Sequence, residues 1–289
     1  RDEAKMHAVL RHPNIVTFYG ACFEPGKYSI VMEFMSQGSL YNMLHSRKNL
    51  SFAELISIAH DMALGLHYLH LKGIIHRDLK SPNVLLNLQD GKMHAKLSDF
   101  GLSTIKQETC GTMTSRAQAR APGTIRWMAP ELFDEDKGTI FSDFYALGAT
   151  INEELTREMP FHDVSQEAVV IMKVQKGERP NTPLGTPPKL ATLIGKCWAQ
   201  RVEDRPKSAE EVANTLADVL EQKNVERQRA TERVFSESRE RLAPKVAEGN
   251  HILLAYSAEW PLGLLGLVAG KLTNLYHCPA ILMTQAHGT

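Results

Sequence analysis

Residues 76–83 read His-Arg-Asp-Leu-Lys-Ser-Pro-Asn and set Asp78, Lys80 and Asn83 in one short polar turn, directly behind the apolar pair Ile74 and Ile75. A carboxylate, an ammonium and a carboxamide so close together can orient a hydroxyl, offset the charge of a phosphate and ligate a metal ion. Phosphoryl transfer requires those three services. Further along, Ser-Asp-Phe-Gly at 98–101 adds a second carboxylate, Asp99, at the end of an apolar run, with Gly101 freeing the backbone. By residue type, Asp78 would orient the attacking hydroxyl, Lys80 would lie near the γ-phosphate, and Asn83 with Asp99 would hold metal. Each fragment alone is a weak signal, because a polar turn behind a helix is usually only a cap.

The elements that must position these groups follow from periodicity. Residues 1–11 read as the end of a helix that stops at His12-Pro13, since a residue before proline is pushed out of the helical region. Two apolar runs flank Pro25 and Gly26 and predict a β-hairpin. From Ser51 the period becomes helical, with Leu55, Ile58, Ala59, Met62, Leu66 and Leu69 on one face, Ser51 and Glu54 in capping-box positions, and Gly73 at the close. A second hairpin turns at Asp90-Gly91. Helices are expected around 142–158, 165–176, 188–199 and 208–222, the last opened by Ser208 and Glu211. Few strands in front of many helices make the fold class α+β.

Composition excludes little but points one way. The 33 basic and 33 acidic side chains cancel, so no overall field draws the chain to nucleic acid or an anionic membrane. Cys22, Cys110, Cys197 and Cys278 form no CxxC pair, which argues against a disulfide framework or zinc site and fits a reducing, cytoplasmic setting. The segment Ile252–Gly270 is interrupted by Glu259 and Pro261 and is not expected to span a membrane. The chain opens without methionine and reads as a piece of something longer.

Order is the strong signal. Asp78, Asn83 and Asp99 are followed by GTIRWMAPE at 123–131, SDFYALG at 142–148 and CWAQRVEDRP at 197–206. In this succession the chain, from residue 1 to about 221, resembles the eukaryotic protein kinases, specifically the tyrosine-kinase-like group of serine/threonine kinases. The resemblance implies a protein-kinase-like fold with a truncated N-lobe and a mainly helical C-lobe, with ATP and Mg2+ as cofactors and protein serine or threonine as acceptor. The Lys80-Ser81-Pro82 run, in place of the pattern of tyrosine-specific members, favours that acceptor. By the same resemblance Met32 is the gatekeeper, the backbone of Glu33 and Met35 the adenine-binding hinge, and Leu85 the floor under the base. His76 and Phe100 belong to a regulatory spine, Thr124 supports the acceptor hydroxyl, Glu131 pairs with Arg205, and Asp143 braces the catalytic loop. Thr109, Thr112, Thr114 and Ser115 are candidate phosphosites, with Arg77 placed to pair with the added phosphate.

The family's helix glutamate falls at Glu3, so its Gly-rich strand pair and strand lysine would precede residue 1. The competing reading is a non-catalytic scaffold or pseudokinase fragment. Beyond residue 221 the pattern changes. Residues 222–249 read as a charged helical linker whose apolar positions thin out to Val225, Val234, Phe235 and Leu242, and 250–289 as strand, helix, strand, a βαβ unit. That tail resembles a fragment of the RecJ-type DHH phosphoesterases, through Gly263, Gly266, Tyr276 and Pro279, and lacks that family's metal-binding domain. A nucleic-acid contact through it is not the expected role.

Overall fold

Aromatic and β-branched residues form the strands Phe18–Glu24 (β1) and Lys27–Met32 (β2), paired antiparallel with a register shift between Phe18 and Gly20. The computed structural model describes residues 10–24, 27–100, 123–134 and 138–285. Two compact units divide at Leu220 and Glu221.

In the first unit, Gly38–Ser39 (β3) leads into a short helix Leu40–Leu44 (α1), whose start Ser39 caps by accepting from Asn42 N–H. The long helix Phe52–Leu71 (α2) begins at the capping box read from the sequence: Glu54 N–H donates to Ser51 Oγ at 3.3 Å, and Ser51 N–H to Glu54 Oε2 at 2.8 Å. Gly73, at φ 72°, follows its end in the left-handed region open to glycine. The hairpin Val84–Gln89 (β4) and Lys92–Leu97 (β5) turns through Asp90 and Gly91, both at positive φ, as a two-residue hairpin turn requires. The sheet order is β3-β4-β5.

β5 lies against α2 because Gly65 has no side chain: a Cβ there would stand 2.8 Å from Asn14 O. That close approach lets residues 14–16 run beside β5, where Val16 N–H donates to Leu97 O and Leu97 N–H to Asn14 O.

The helical part follows with Glu131–Asp134 (α3), Ile140–Thr156 (α4), Glu167–Gln175 (α5) and Pro188–Cys197 (α6). α4 is the centre of the core, buried continuously from Ser142 to Glu154. α6 packs directly on it at Gly148, whose Cβ would lie 2.7 Å from Cys197 Cβ.

The helix Ala209–Ala247 (α7) takes the helix expected at 208–222 and the charged helical stretch expected after it in one continuous run. Ser208 caps it by accepting from Glu211 N–H, while Glu211 reaches back to the N–H of Lys207. The second unit contains the later part of α7, the strands Leu253–Tyr256 (β6) and Ala280–Met283 (β7), and the helix Leu262–Tyr276 (α8). β6 and β7 pair in parallel, as a βαβ unit demands. The charged stretch is not merely solvated: Val234 and Leu242 are fully buried in a core with Leu253, Trp260, Val268 and Leu272. Among the described residues no helix is long and apolar enough to cross a membrane.

One buried group works against this fold. Glu154 on α4 is completely buried, neither carboxyl oxygen has a hydrogen-bond partner among the described residues, and burial, then the neighbouring Glu153, push its pKa far above the ordinary range. It therefore folds protonated, and at neutral pH folding must take up that proton. Glu154→Leu is expected to stabilise the first unit by about 1–3 kcal/mol at pH 7, with a smaller gain near pH 4.5, where about half of the unfolded carboxyl is protonated too. Urea unfolding at the two pH values checks both size and sign.

Candidate functional site

The polar turn at 76–83 is held from below by α4. Asp143, in the first turn of that helix, accepts from His76 N–H at 2.8 Å, from Arg77 N–H at 2.9 Å and lies 2.8 Å from His70 Nε2. These bonds keep Arg77 at φ 67°, a left-handed backbone that a branched or long side chain adopts only when surroundings enforce it. The His76 imidazole is fully buried beside the Phe100 ring, centroids 6.1 Å apart. Burial lowers its pKa, against the raising influence of Asp143 and Asp78, so the ring is neutral.

Above this base the reactive groups converge. Asp78 Oδ1 lies 3.0 Å from Lys80 Nζ, and Asp78 Oδ2 accepts from Asn83 Nδ2 at 3.0 Å. Asn83 Nδ2 also donates to Asp78 O at 2.7 Å, which turns the amide's oxygen away as the acceptor left for a cation. Lys80 Nζ donates to Thr124 Oγ1 at 2.7 Å, joining the loop to the turn Thr124–Trp127. Asp99 follows β5 at φ 57°, a second left-handed residue, just after Ser98 has anchored the strand end by donating to Asn83 O. No cluster of three or more His, Cys, Asp or Glu exists among the described residues. A Mg2+ site built from one or two protein ligands plus phosphate oxygens does not need one.

The segment after β2 is held at Glu33 and leaves backbone open at Met35. Glu33 N–H donates to Thr17 O, and Met35 O accepts from Gly38 N–H, while Met35 N–H has no partner among the described residues. Glu33 is tied down by Lys96, whose Nζ donates to both its oxygens at 2.6 and 2.8 Å, and by Thr17 N–H. Burial alone would raise that carboxyl's pKa; the bonds from Lys96 and Thr17 bring it below the ordinary range. Leu85 on β4 is half-buried, and Met32 at the end of β2 is exposed. Open backbone at Met35 and the Asp78 and Asn83 oxygens are groups that could hold a nucleotide and its metal.

A second anchor lies behind the segment 123–134. Arg205, with a fully buried guanidinium, donates to Glu131 Oε1 at 2.6 Å and Oε2 at 2.9 Å, a planar bidentate pair, and also to Phe141 O and Ala199 O. It stacks over Tyr145, whose hydroxyl burial pushes to about 12.

Of the residues singled out from sequence, Asp78, Lys80, Asn83 and Thr124 stand in one connected group, with Asp143 and His76 beneath it and Arg77 on the exposed side. Glu3, Gly101, Thr109, Thr112, Thr114 and Ser115 lie outside the described residues. Sequence reasoning passed over Ser81, Trp127, His70, Lys96 and Glu153, all polar groups buried or bonded at this site. Ser81 and Trp127 stood inside quoted motifs, and an acidic pair within the apolar pattern of α4 was the available signal for Glu153.

Comparison with known proteins gives the family. A family model described as protein tyrosine and serine/threonine kinase matches residues 1–216. The serine/threonine/tyrosine-protein kinase HT1 of Arabidopsis thaliana is 38% identical over 211 residues, 71% of this chain and 51% of that protein. The serine/threonine-protein kinase STY17 of the same plant is 39% identical over 210 residues, 72% of this chain and 35% of its own length. The serine/threonine-protein kinase CTR1, also from Arabidopsis thaliana, is 39% identical over 216 residues, covering 73% and 25% respectively. The chain thus spans about half the length, or less, of these curated relatives.

Because the Arg205 side chain is sealed and Glu131 is partly solvated, the pair is asymmetric. Glu131→Ala strands a buried cation and is expected to cost on the order of 3 kcal/mol, and Arg205→Lys, which cannot form the planar fork, a smaller part of that. Denaturant unfolding of the two variants reads the difference.

Proposed function

The chain belongs to the protein tyrosine and serine/threonine kinase family, of the tyrosine-kinase-like type, and from that premise we propose that it transfers the γ-phosphoryl group of ATP to serine or threonine hydroxyls of a protein. The observation that carries this reading is the Asp78 carboxylate, held on one oxygen by Lys80 and on the other by Asn83, with Lys80 also bonded to Thr124.

Bound Mg-ATP supplies the phosphoryl group and the divalent charge that neutralises its oxygens. Asp78 accepts the acceptor hydroxyl's proton, acting as general base and orienter. Lys80, between Asp78 and Thr124, offsets charge as the phosphoryl group leaves its parent oxygen, and Thr124 supports the incoming hydroxyl. Asn83 and Asp99 would hold the metal, the Met35 N–H would meet the adenine edge and Leu85 would lie under the base. Arg77 is the partner for a phosphate on Thr109, Thr112, Thr114 or Ser115. A reducing cytoplasmic setting suits the free thiols of Cys22, Cys197 and Cys278, of which the Cys197 thiol is raised by burial to about 12 and is inert.

Melting the chain with and without Mg-ATP tests the site. Ligand at about 100 times its Kd stabilises the native state by about 2.7 kcal/mol, and Asp99→Asn should erase the shift. Asp78→Asn should keep the shift but lower kcat by roughly 10²–10⁴. An Asp78→Asn protein phosphorylating a serine-threonine substrate at the native rate overturns the assignment, and the absence of any Mg-ATP shift favours a non-catalytic scaffold.

A further inference from the structure

Glu153 sits on α4, fully buried, and three groups from three different elements converge on its carboxyl. Ser81 Oγ donates to Oε1 at 2.7 Å, Trp127 Nε1–H donates to Oε2 at 3.0 Å, and His45 Nε2 lies 3.3 Å from Oε1. Ser81 lies between Lys80 and Asn83 in the catalytic loop, and Trp127 closes the turn that opens with Thr124. The same two segments are joined on their other side by Lys80 and Thr124, 2.7 Å apart. A loop that must hold reacting groups to a fraction of an ångström is therefore cross-linked to its neighbour twice, once at the reactive face and once from the core.

We propose that Glu153 is a positioning residue for phosphotransfer, its one carboxyl group fastening the catalytic loop through Ser81 to the Thr124 segment through Trp127. This rests on the kinase reading. Glu153 touches neither nucleotide nor acceptor; it acts through the two segments it joins.

The carboxyl's charge state changes the fastening. Burial raises its pKa to about 7, against the lowering bonds from Ser81 and Trp127. The groups facing it are His45 from the end of α1, lowered by burial and by Arg157, Ser81 and Trp127 from the two loops, and Glu154 beside it on α4, which is protonated. Above pH 7 both oxygens are charged acceptors and the two bonds are at their strongest; below it, the added proton turns one oxygen into a donor toward His45 and loosens the hold on Ser81. Linkage runs the opposite way. The folded pKa exceeds the unfolded one, so this group's contribution to stability is full below the unfolded value and declines as pH rises through about 7. Tight fastening is thus gained in the range where the fold itself loses stability.

The experiment compares Glu153→Gln and Glu153→Leu with the native chain, following kcat and KM for ATP between pH 6 and 8 and the indole N–H resonance of Trp127, identified by its loss in Trp127→Phe. Glutamine can accept from Trp127 and donate to Ser81 but cannot titrate; leucine makes neither bond. Expected are an indole resonance that moves with a midpoint near pH 7 in the native chain and does not titrate in Glu153→Gln, and a kcat for Glu153→Leu lower by about tenfold or more with KM for ATP nearly unchanged, the pattern of a misplaced catalytic group. The native kcat should rise between pH 6 and 8 as the carboxyl ionises, and Glu153→Gln should restore most of kcat and lose that rise. If Glu153→Leu does not fold, Ser81→Ala combined with Trp127→Phe removes both ties and should show the same kcat loss. A native kcat in the variants without the ties overturns the proposal, as does an indole titration indifferent to Glu153→Gln. Absence of phosphotransfer by the native chain removes the catalytic role along with the kinase reading, and the indole titration then still distinguishes a real fastening from none.

Discussion

Everything at the site depends on where Asp143 points. Its carboxylate accepts the backbone N–H groups of His76 and Arg77 and meets His70, and it is almost fully buried. Backbone donors aimed at a buried carboxylate form charge-assisted bonds stronger than neutral ones. That strength is needed, because Arg77 is left-handed at φ 67° and such a residue costs on the order of 1–3 kcal/mol. The kink sends the chain back toward β4, so that Asp78, Lys80 and Asn83 face one direction and the His76 ring turns inward to Phe100.

α4 carries this constraint because it is buried on every side, and a helix that cannot move is a good base for side chains that must not. Asp143 and Glu153 lie about 15 Å apart along it, at 1.5 Å per residue, and they hold the two ends of the polar turn at 76–83. The burial that makes them rigid also sets their cost. Asp143 and Glu153 are surrounded by donors, whereas Glu154 has none and survives only as a neutral acid. Three buried carboxyl groups on one helix thus fall into two kinds, those whose desolvation is offset by hydrogen bonds and one whose desolvation is not.

Local physics was readable from the sequence and long-range pairing was not. The capping box at Ser51 and Glu54, the turn at Asp90-Gly91 and the parallel βαβ pattern of the tail each follow from neighbouring residues. The two-residue strand β3 exists only because β4 is beside it, so nothing local announces it. Glu153 takes its partners from positions 45, 81 and 127, and no periodicity links those numbers. The candidate site residues are visible through motif order, which is a statement about family; their mutual bonds, Lys80 to Thr124 above all, need coordinates.

The charged stretch after residue 221 shows how composition misleads. Thr231, Val234, Ser238 and Leu242 recur at helical spacing and are all buried, but two of the four are hydroxyl residues, so the stripe does not look apolar. Thr231 donates to Arg227 O and Ser238 to Val234 O, which satisfies each hydroxyl inside its own helix and lets it count as core. The cations beside them are not simply solvated either. Arg241 donates to Tyr256 O and Lys245 to Leu254 O, so the open edge of β6 has its carbonyls occupied by side chains of α7. An edge whose acceptors are filled by Arg and Lys is a poor template for another strand. The charge that suggests a linker is, at these two positions, what ends the sheet.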